Sequence, residues 1–170
     1  KVKCTTQFIV GASDEADSDI VKYVFGIYDR LNFKRVYFSA YQAGLGSPDI
    51  PGERRFQLNS EDRLTREHRL YQVDFLIRQY GFQKSDILFG NDGNLSLSKD
   101  PKEIWADNNP SFFPVNLNRA PKEMLLRVPG IGPVLTERIL MLRKIHRIRS
   151  LSDISVKGKL RDKISTFTVF

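Results

Sequence analysis

Residues 120–145 read APKEMLLRVPGIGPVLTERILMLRKI, and this stretch decides the fold of the C-terminal part of the chain. Pro121 is typical of the start of a helix. Residues 128–133 contain two glycines and two prolines, which end that helix abruptly. After the turn, apolar residues return at helical spacing at Val134, Leu135, Ile139, Leu142, Ile145 and Ile148. The stretch therefore predicts two helices joined by a tight turn.

The positive charge of the chain is concentrated in the same region. Residues 119–170 contain 12 Lys and Arg against 4 Asp and Glu, whereas residues 1–118 contain 15 against 16. A positive charge confined to one compact end is typical of a module that binds a polyanion.

The segment 125–139 resembles the helix-hairpin-helix motif of DNA repair and processing proteins. That motif has the pattern apolar-x-x-apolar-x-Gly-apolar-Gly-x-x-x-small-x-x-apolar. The matching residues are Leu125, Val128, Gly130, Ile131, Gly132, Thr136 and Ile139. Thr136 stands where the family usually has alanine, and its methyl group can occupy a similar helix contact. The resemblance implies contact with the phosphates of the DNA backbone and no sequence specificity.

Glycines at this turn let the backbone turn tightly and keep side chains away from a phosphate. We expect the amides of Gly130, Ile131 and Gly132 to bind it, with the start of the second helix, where the helix dipole favours an anion. The basic residues expected to assist are Arg138, Arg143 and Lys144. The resemblance also implies a monovalent cation held by hairpin carbonyls, which here would be those of Leu126, Val128 and Ile131.

A weaker copy of the motif follows over residues 150–164, without the second glycine. The simpler interpretation is that this copy completes a small hydrophobic core, while Lys157, Lys159 and Lys163 add general attraction for a polyanion. The tandem also resembles the DNA-receptor domain of bacterial competence proteins. The region in front of it does not belong to that family.

The first ninety residues alternate between strand and helix patterns. Strands are predicted at 5–10, 35–41 and 86–89, with a helix after the first strand and another over 62–80. This alternation predicts a parallel sheet joined by crossover helices. Residues 42–61 hold many glycines and prolines and predict a covering or functional loop.

We divide the chain into an α/β portion at 1–90, a packed linker at 91–114 and an all-α domain at 115–170. The linker contains Trp105, Phe112 and Phe113. Because exposed aromatic rings in a free linker are unfavourable, we expect these three to anchor it against the α/β portion.

Residues 7–14 read QFIVGASD and resemble the Gly-x-Ile-x-Gly-x-x-Glu motif on a late strand of radical S-adenosylmethionine barrels. Ile9 and Gly11 match, Asp14 replaces the glutamate, and the first glycine is absent. Together with the crossover, the loop and the hairpin, nearly the whole chain resembles radical S-adenosylmethionine proteins of DNA modification or repair. The resemblance implies a partial β/α barrel of parallel strands, in which Ile9, Val10 and Gly11 support the adenine of S-adenosylmethionine.

Cys4 is the one cysteine of the sequence, and we expect it to be a small core residue. The family holds a four-iron four-sulfur cluster with three cysteines, so the cluster is implied only for a longer parent. The start at Lys1 reads as that of a fragment, whose missing N-terminal part would be a partner. The single cysteine and the lack of long apolar runs predict a cytoplasmic protein without membrane contact.

Three interpretations remain open. The first is the C-terminal part of a radical S-adenosylmethionine protein acting in DNA modification or repair, with the hairpin as a DNA clamp. The second is a non-enzymatic DNA-binding adaptor whose α/β part is a platform for a partner. The third is a purely structural pair of domains. Asp14 and Glu15 fit the positive end of a helix better than they fit a catalytic pair.

Overall fold

In the computed structural model, β1 (Thr5–Val10), α1 (Asp17–Asp29) and β2 (Arg35–Ala40) form the predicted βαβ unit. The strands are parallel, with Thr5 paired with Arg35 and Val10 paired with Ala40. The fold is mixed α/β.

Two compact units make up the chain. The first runs to Arg78 and includes Phe82–Pro101, and the second comprises Gln79–Gly81 and Lys102–Phe170. The residues that the structure describes are 3–44, 46–54 and 59–170. Within these ranges, no helix combines the length and the apolar composition needed to span a bilayer.

The two-stranded sheet is packed on one face only. Val10, Val36 and Phe38 are buried, whereas Ile9 and Tyr37 on the opposite face are 45% and 39% exposed. The first strand is therefore buried on one face only, because side chains alternate between the two faces of a strand.

Side chains from helices seal the outer edge of β2. The Tyr28 hydroxyl accepts a hydrogen bond from the Val36 amide at 2.8 Å. In α3 (Ser60–Tyr80), the Tyr71 hydroxyl bonds both the amide and the carbonyl oxygen of Phe38. The carboxylate of Glu67, also in α3, accepts from the Ala40 amide at 2.6 Å.

The third predicted strand is absent from the structure. Residues 87–89 follow a short 3-10 helix (Lys84–Asp86) and form no ladder with the described strands. Because the amides along the edge of β2 are already bonded to side chains, that edge offers no donors to another strand. The predicted loop 42–61 contains one short helix, α2 (Pro51–Arg54), and its residues 45 and 55–58 lie outside the described residues.

A buried carboxylate joins α1 to α3. Asp74 is fully buried, accepts hydrogen bonds from Nε, at 2.9 Å, and from Nη2 of Arg78, and also accepts one from the Tyr28 hydroxyl. Burial raises the pKa of Tyr28 well above its ordinary value, and the hydrogen bond to Asp74 raises it further. Tyr28 therefore stays a neutral hydroxyl that links the carboxylate to the edge of β2.

The second unit is mainly helical, but the expectation of an all-α domain at 115–170 is wrong, because two short strands pair within that range. Its elements are α4 (Pro101–Asn108), β3 (Val115–Asn116), α5 (Lys122–Arg127), α6 (Pro133–Ile145), α7 (Gly158–Ser165) and β4 (Thr168–Val169). The strands β3 and β4 pair in parallel. Ile154, Val156 and Ile164 from the weaker motif copy are buried in this core, as the simpler interpretation of that copy predicts.

The aromatic residues of the predicted linker pack within the second unit. Trp105 contacts Phe112 edge-on at 5.2 Å between ring centroids, and Phe113 lies 4.9 Å from Phe167. Phe112 and Phe113 pack against the hydrophobic core of that unit. Phe113 and Phe167 come just before β3 and β4, so the pairing of these two strands brings the rings together.

We expect Tyr28→Phe to destabilise the protein by about 1–3 kcal/mol, because the Val36 amide loses its acceptor and buried Asp74 loses a donor. Urea unfolding followed by circular dichroism measures the free energy of unfolding. Tyr23→Phe is the matched control, since Tyr23 lies on the same helix and is 61% exposed. Equal stabilities for the two variants would contradict the sealing of the β2 edge by Tyr28.

Candidate functional site

A five-residue turn at 128–132 joins α5 to α6. The Ile131 amide donates to the Val128 carbonyl at 3.0 Å, and the Thr136 amide donates to the Gly132 carbonyl at 2.9 Å. Gly130 has φ +88, a conformation that glycine adopts at little cost. The predicted pair of helices joined by a tight turn is therefore present.

The turn leaves several amides without acceptors. Among the described residues, the Gly130 and Gly132 amides have no hydrogen-bond acceptor, and no side chain caps α6. The amides of Val134 and Leu135, in the first turn of α6, have no acceptor within the helix. The Ile131 amide, by contrast, is bonded to Val128 and is not a free donor. The available donors are therefore those of Gly130, Gly132, Val134 and Leu135.

Both glycines of the turn have neighbours inside their own unit. A Cβ on Gly130 would lie 2.9 Å from Ile164 Cγ1 and 3.0 Å from Leu160 Cδ1. A Cβ on Gly132 would lie 3.1 Å from the Tyr80 hydroxyl oxygen. Gly130 is thus required by the packing of α7 and by its backbone conformation, in addition to any room it leaves for a phosphate.

The three predicted basic residues differ in their surroundings. Arg143 donates to the Ala120 carbonyl at 2.6 Å, and Arg138 donates to the Ile154 carbonyl at 3.0 Å. Both therefore tie segments of the second unit together. Lys144 is exposed in the last turn of α6.

A buried lysine that the sequence did not indicate contacts the turn. Lys102, in the first turn of α4, is 7% exposed and donates from Nζ to the Ile131 carbonyl oxygen at 2.6 Å. Its Nζ also lies 4.5 Å from the centroid of the Tyr80 ring. The predicted cation ligand set of Leu126, Val128 and Ile131 thus includes an oxygen that binds an ammonium group. Lys102 precedes Ile131 by 29 residues, so no local pattern could have found it.

Thr136 lies in the predicted small position of α6. It is fully buried, and within the described residues its Oγ1 has no hydrogen-bond partner. Its methyl group can fill the place of an alanine, while its hydroxyl gains no compensating bond.

In the first unit, a cavity of about 430 Å³ lies at the carboxyl end of β1. Two of the residues predicted to bind a cofactor, Val10 and Gly11, line it. Ile9, the third, is on the exposed face of the sheet. The charged residues that line the cavity are Asp14, Glu15, Asp17, Arg63, Arg66 and Asp92.

Arg66 braces one wall of this cavity. Its Nε donates to Asp17 Oδ1 at 2.6 Å, and its Nη2 donates to the Glu15 carbonyl at 3.0 Å. Asp17 is fully buried and also accepts the Leu95 amide at 2.9 Å. On the rim, hydrogen bonds from the side chain and amide of Asn94 hold the pKa of Asp92 below its ordinary value. The lining thus contains carboxylates and guanidinium groups, of which Asp17 and Arg66 are already paired with each other.

The loop after β2 closes against the same cavity. The Gly52 amide donates to the Ala12 carbonyl at 3.1 Å, and a Cβ on Gly52 would lie 2.5 Å from the Gly11 carbonyl oxygen. Glu53 accepts the Tyr41 hydroxyl and the Gly46 amide, and its bond raises the pKa of Tyr41. The described part of the loop therefore covers the end of β1, as the sequence predicts.

The cavity lining has side chains of both charge signs, and the family resemblance implies two groups, S-adenosylmethionine and an iron–sulfur cluster. S-adenosylmethionine carries an ammonium, a sulfonium and a carboxylate, which suit a site with side chains of both signs. Cys4 is exposed just before β1, which corrects its expected place in the core. As the one cysteine of the sequence, it does not fit an iron–sulfur cluster, which needs several thiolates.

We expect Gly130→Ala to destabilise the second unit more than Gly158→Ala does, by at least about 1 kcal/mol in free energy of unfolding. Both glycines have positive φ, at +88 and +57, but nothing lies within 4 Å of a Cβ at Gly158. The difference between the variants, measured by urea unfolding, isolates the contact with Ile164. Equal losses would show that Gly130 is needed for its conformation alone.

No protein-family model matches the chain, and neither a curated protein nor a solved structure matches it.

Proposed function

We propose that the second unit binds the phosphate backbone of DNA at the turn 128–132 and the start of α6. The observation that carries the proposal is the set of amides without acceptors at Gly130, Gly132, Val134 and Leu135. Backbone amides at a helix N-terminus bind phosphate oxygens well, because the helix dipole adds a partial positive charge there. The resemblance of residues 125–139 to the helix-hairpin-helix motif supports the same role.

Charge supplies the second support. The exposed basic side chains of this unit include Lys144, Arg147, Arg149, Lys157 and Lys159. These residues raise the local concentration of a polyanion without fixing its orientation. Arg138 and Arg143 contribute charge, but their hydrogen bonds to carbonyls commit them first to the fold.

The contacts of such a site carry no sequence information. Amides that bind phosphate oxygens hold the backbone, whereas base identity is read from groove edges by side chains. We therefore propose binding without sequence preference and with strong salt dependence.

Binding of duplex DNA of random sequence, followed by fluorescence anisotropy, tests this proposal. Each neutralised phosphate should contribute about −0.9 to the slope of log affinity against log salt. Val134→Glu puts a carboxylate beside the free amides. The helix dipole stabilises this negative charge, but the charge repels a phosphate. Val134 is 78% exposed, so the substitution does not disturb the core.

We expect Val134→Glu to weaken DNA binding about tenfold, the effect of losing about 1.4 kcal/mol of charge-assisted bonding. Ile145→Glu is the control, because it makes the same charge change at an 80% exposed position of α6. It lies about 16 Å away along the helix axis. Equal effects of the two substitutions would exclude the turn as the binding site. Absence of salt-dependent binding would refute the proposal.

The cavity of the first unit supports a second function, the binding of S-adenosylmethionine. Its place at the carboxyl end of parallel strands is where α/β folds bind ligands, and its lining has both charge signs. With the resemblance of residues 7–14, this makes the chain a candidate part of a radical S-adenosylmethionine protein that acts on DNA. The bound ligand would supply a methyl group, or a radical only where a longer parent chain provided the cluster that reduces it. A DNA-binding adaptor without this ligand is the alternative.

Calorimetric titration with S-adenosylmethionine separates these two possibilities. We expect Asp14→Lys to weaken binding about fivefold through a charge reversal on the cavity wall. Asp19→Lys makes the same charge change on an exposed residue of α1 that does not line the cavity, and it should leave the affinity unchanged. No binding by the wild-type chain would favour the adaptor.

A further inference from the structure

The buried ammonium of Lys102 lies directly beneath the turn. Its Nζ donates to the Ile131 carbonyl oxygen at 2.6 Å, the short distance expected of a charge-assisted hydrogen bond. The Tyr80 ring covers the same ammonium, with 4.5 Å between Nζ and the ring centroid. Only 7% of the residue is exposed. A charge buried to this degree is costly, so its position has to be maintained by these partners.

The bond acts on a peptide unit that belongs to the proposed phosphate site. The Ile131 carbonyl and the Gly132 amide are the two ends of one planar peptide group. A positive charge bound to the oxygen polarises the group and makes its N–H a stronger donor. The Gly132 amide has no acceptor among the described residues. Lys102 therefore strengthens one of the amides available to a phosphate.

We propose that Lys102 is the resident cation of the turn, in the place of a monovalent metal ion at the carbonyls of Leu126, Val128 and Ile131. The proposal rests on the proposed binding of DNA by this turn. The ammonium supplies permanently the positive charge that a bound ion would supply, and it occupies the Ile131 oxygen. The Val128 oxygen already accepts the Ile131 amide. Phosphate binding at this turn is therefore independent of the identity of the monovalent salt.

This role makes Lys102 a positioning residue that acts through the peptide group, without touching the DNA. The first test compares DNA affinity in potassium chloride and in tetramethylammonium chloride at equal concentration. Tetramethylammonium is too large to enter a set of backbone carbonyls, but it screens charge as potassium does. We expect the wild-type affinity to agree within about twofold between the two salts, since screening depends on ionic strength.

Lys102→Gln removes the charge and places its neutral amide nitrogen one bond short of the lysine Nζ position. We expect it to bind DNA about tenfold more weakly than the wild type in both salts, as loss of a charge-assisted bond predicts. Lys34→Gln, at an exposed position of the first unit, removes the same formal charge and serves as the control for net charge. Circular dichroism and thermal unfolding confirm that each variant is folded.

The second test needs no DNA. The amide resonances of Ile131 and Gly132 in the full chain are followed by NMR during titration with potassium at constant ionic strength. We expect no saturable shift in the wild type, because the ammonium already holds the carbonyl.

Three results would overturn the proposal: a loss of wild-type affinity in tetramethylammonium, an unchanged affinity in folded Lys102→Gln, or a saturable potassium shift at Gly132. Failure of the wild type to bind DNA in either salt would instead refute the proposed function. In that case the potassium titration alone still decides whether Lys102 excludes a metal ion from the turn.

Discussion

Among the residues that the structure describes, three charged side chains are buried, and the partners that each of them needs determine how the helices meet the rest of the fold. Asp17 and Asp74 are fully buried, and Lys102 is nearly so. Such groups are tolerated only where hydrogen bonds and opposite charge replace water. Asp17 joins α1 to α3 through Arg66, and Asp74 joins the same two helices through Tyr28. In the second unit, Lys102 joins α4 to the turn between α5 and α6.

The first two strands and the longer helices could be predicted, because each depends on neighbours only a few positions away, but the short strand pair β3 and β4 could not. The βαβ unit, α3 and the helix pair around Gly130 follow from hydrophobic periodicity and from helix-breaking residues. Asn59 accepts a hydrogen bond from the Asp62 amide, and α3 begins at Ser60, slightly before its apolar pattern does. The contacts that shape the two sites could not be predicted. Arg66 lies 49 residues from Asp17, and no pattern along the chain connects them.

The wrong predictions also result from hydrogen bonds that a sequence pattern does not show. Residues 86–89 have strand-like composition, but composition cannot show that the neighbouring strand edge is already occupied. The prediction of a free Ile131 amide is wrong, because the glycine pattern indicates the turn but not the hydrogen bond that this amide donates to the Val128 carbonyl. At Gly130, two separate constraints select the same residue. The backbone has a positive φ, and α7 packs where a side chain would lie. A motif position therefore does not reveal which of several constraints selects its residue.

The tyrosine and glutamate side chains along β2 determine at which edge of the sheet another strand can be added. Tyr28, Tyr71 and Glu67 imitate a neighbouring strand by bonding alternate amides of β2. No strand can replace them without leaving a carboxylate and two hydroxyls unsatisfied. Any additional strand, from this polypeptide or from another molecule, must therefore be added beside β1. Side chains from the helices of the first unit therefore block strand addition at the β2 edge, which leaves the β1 edge.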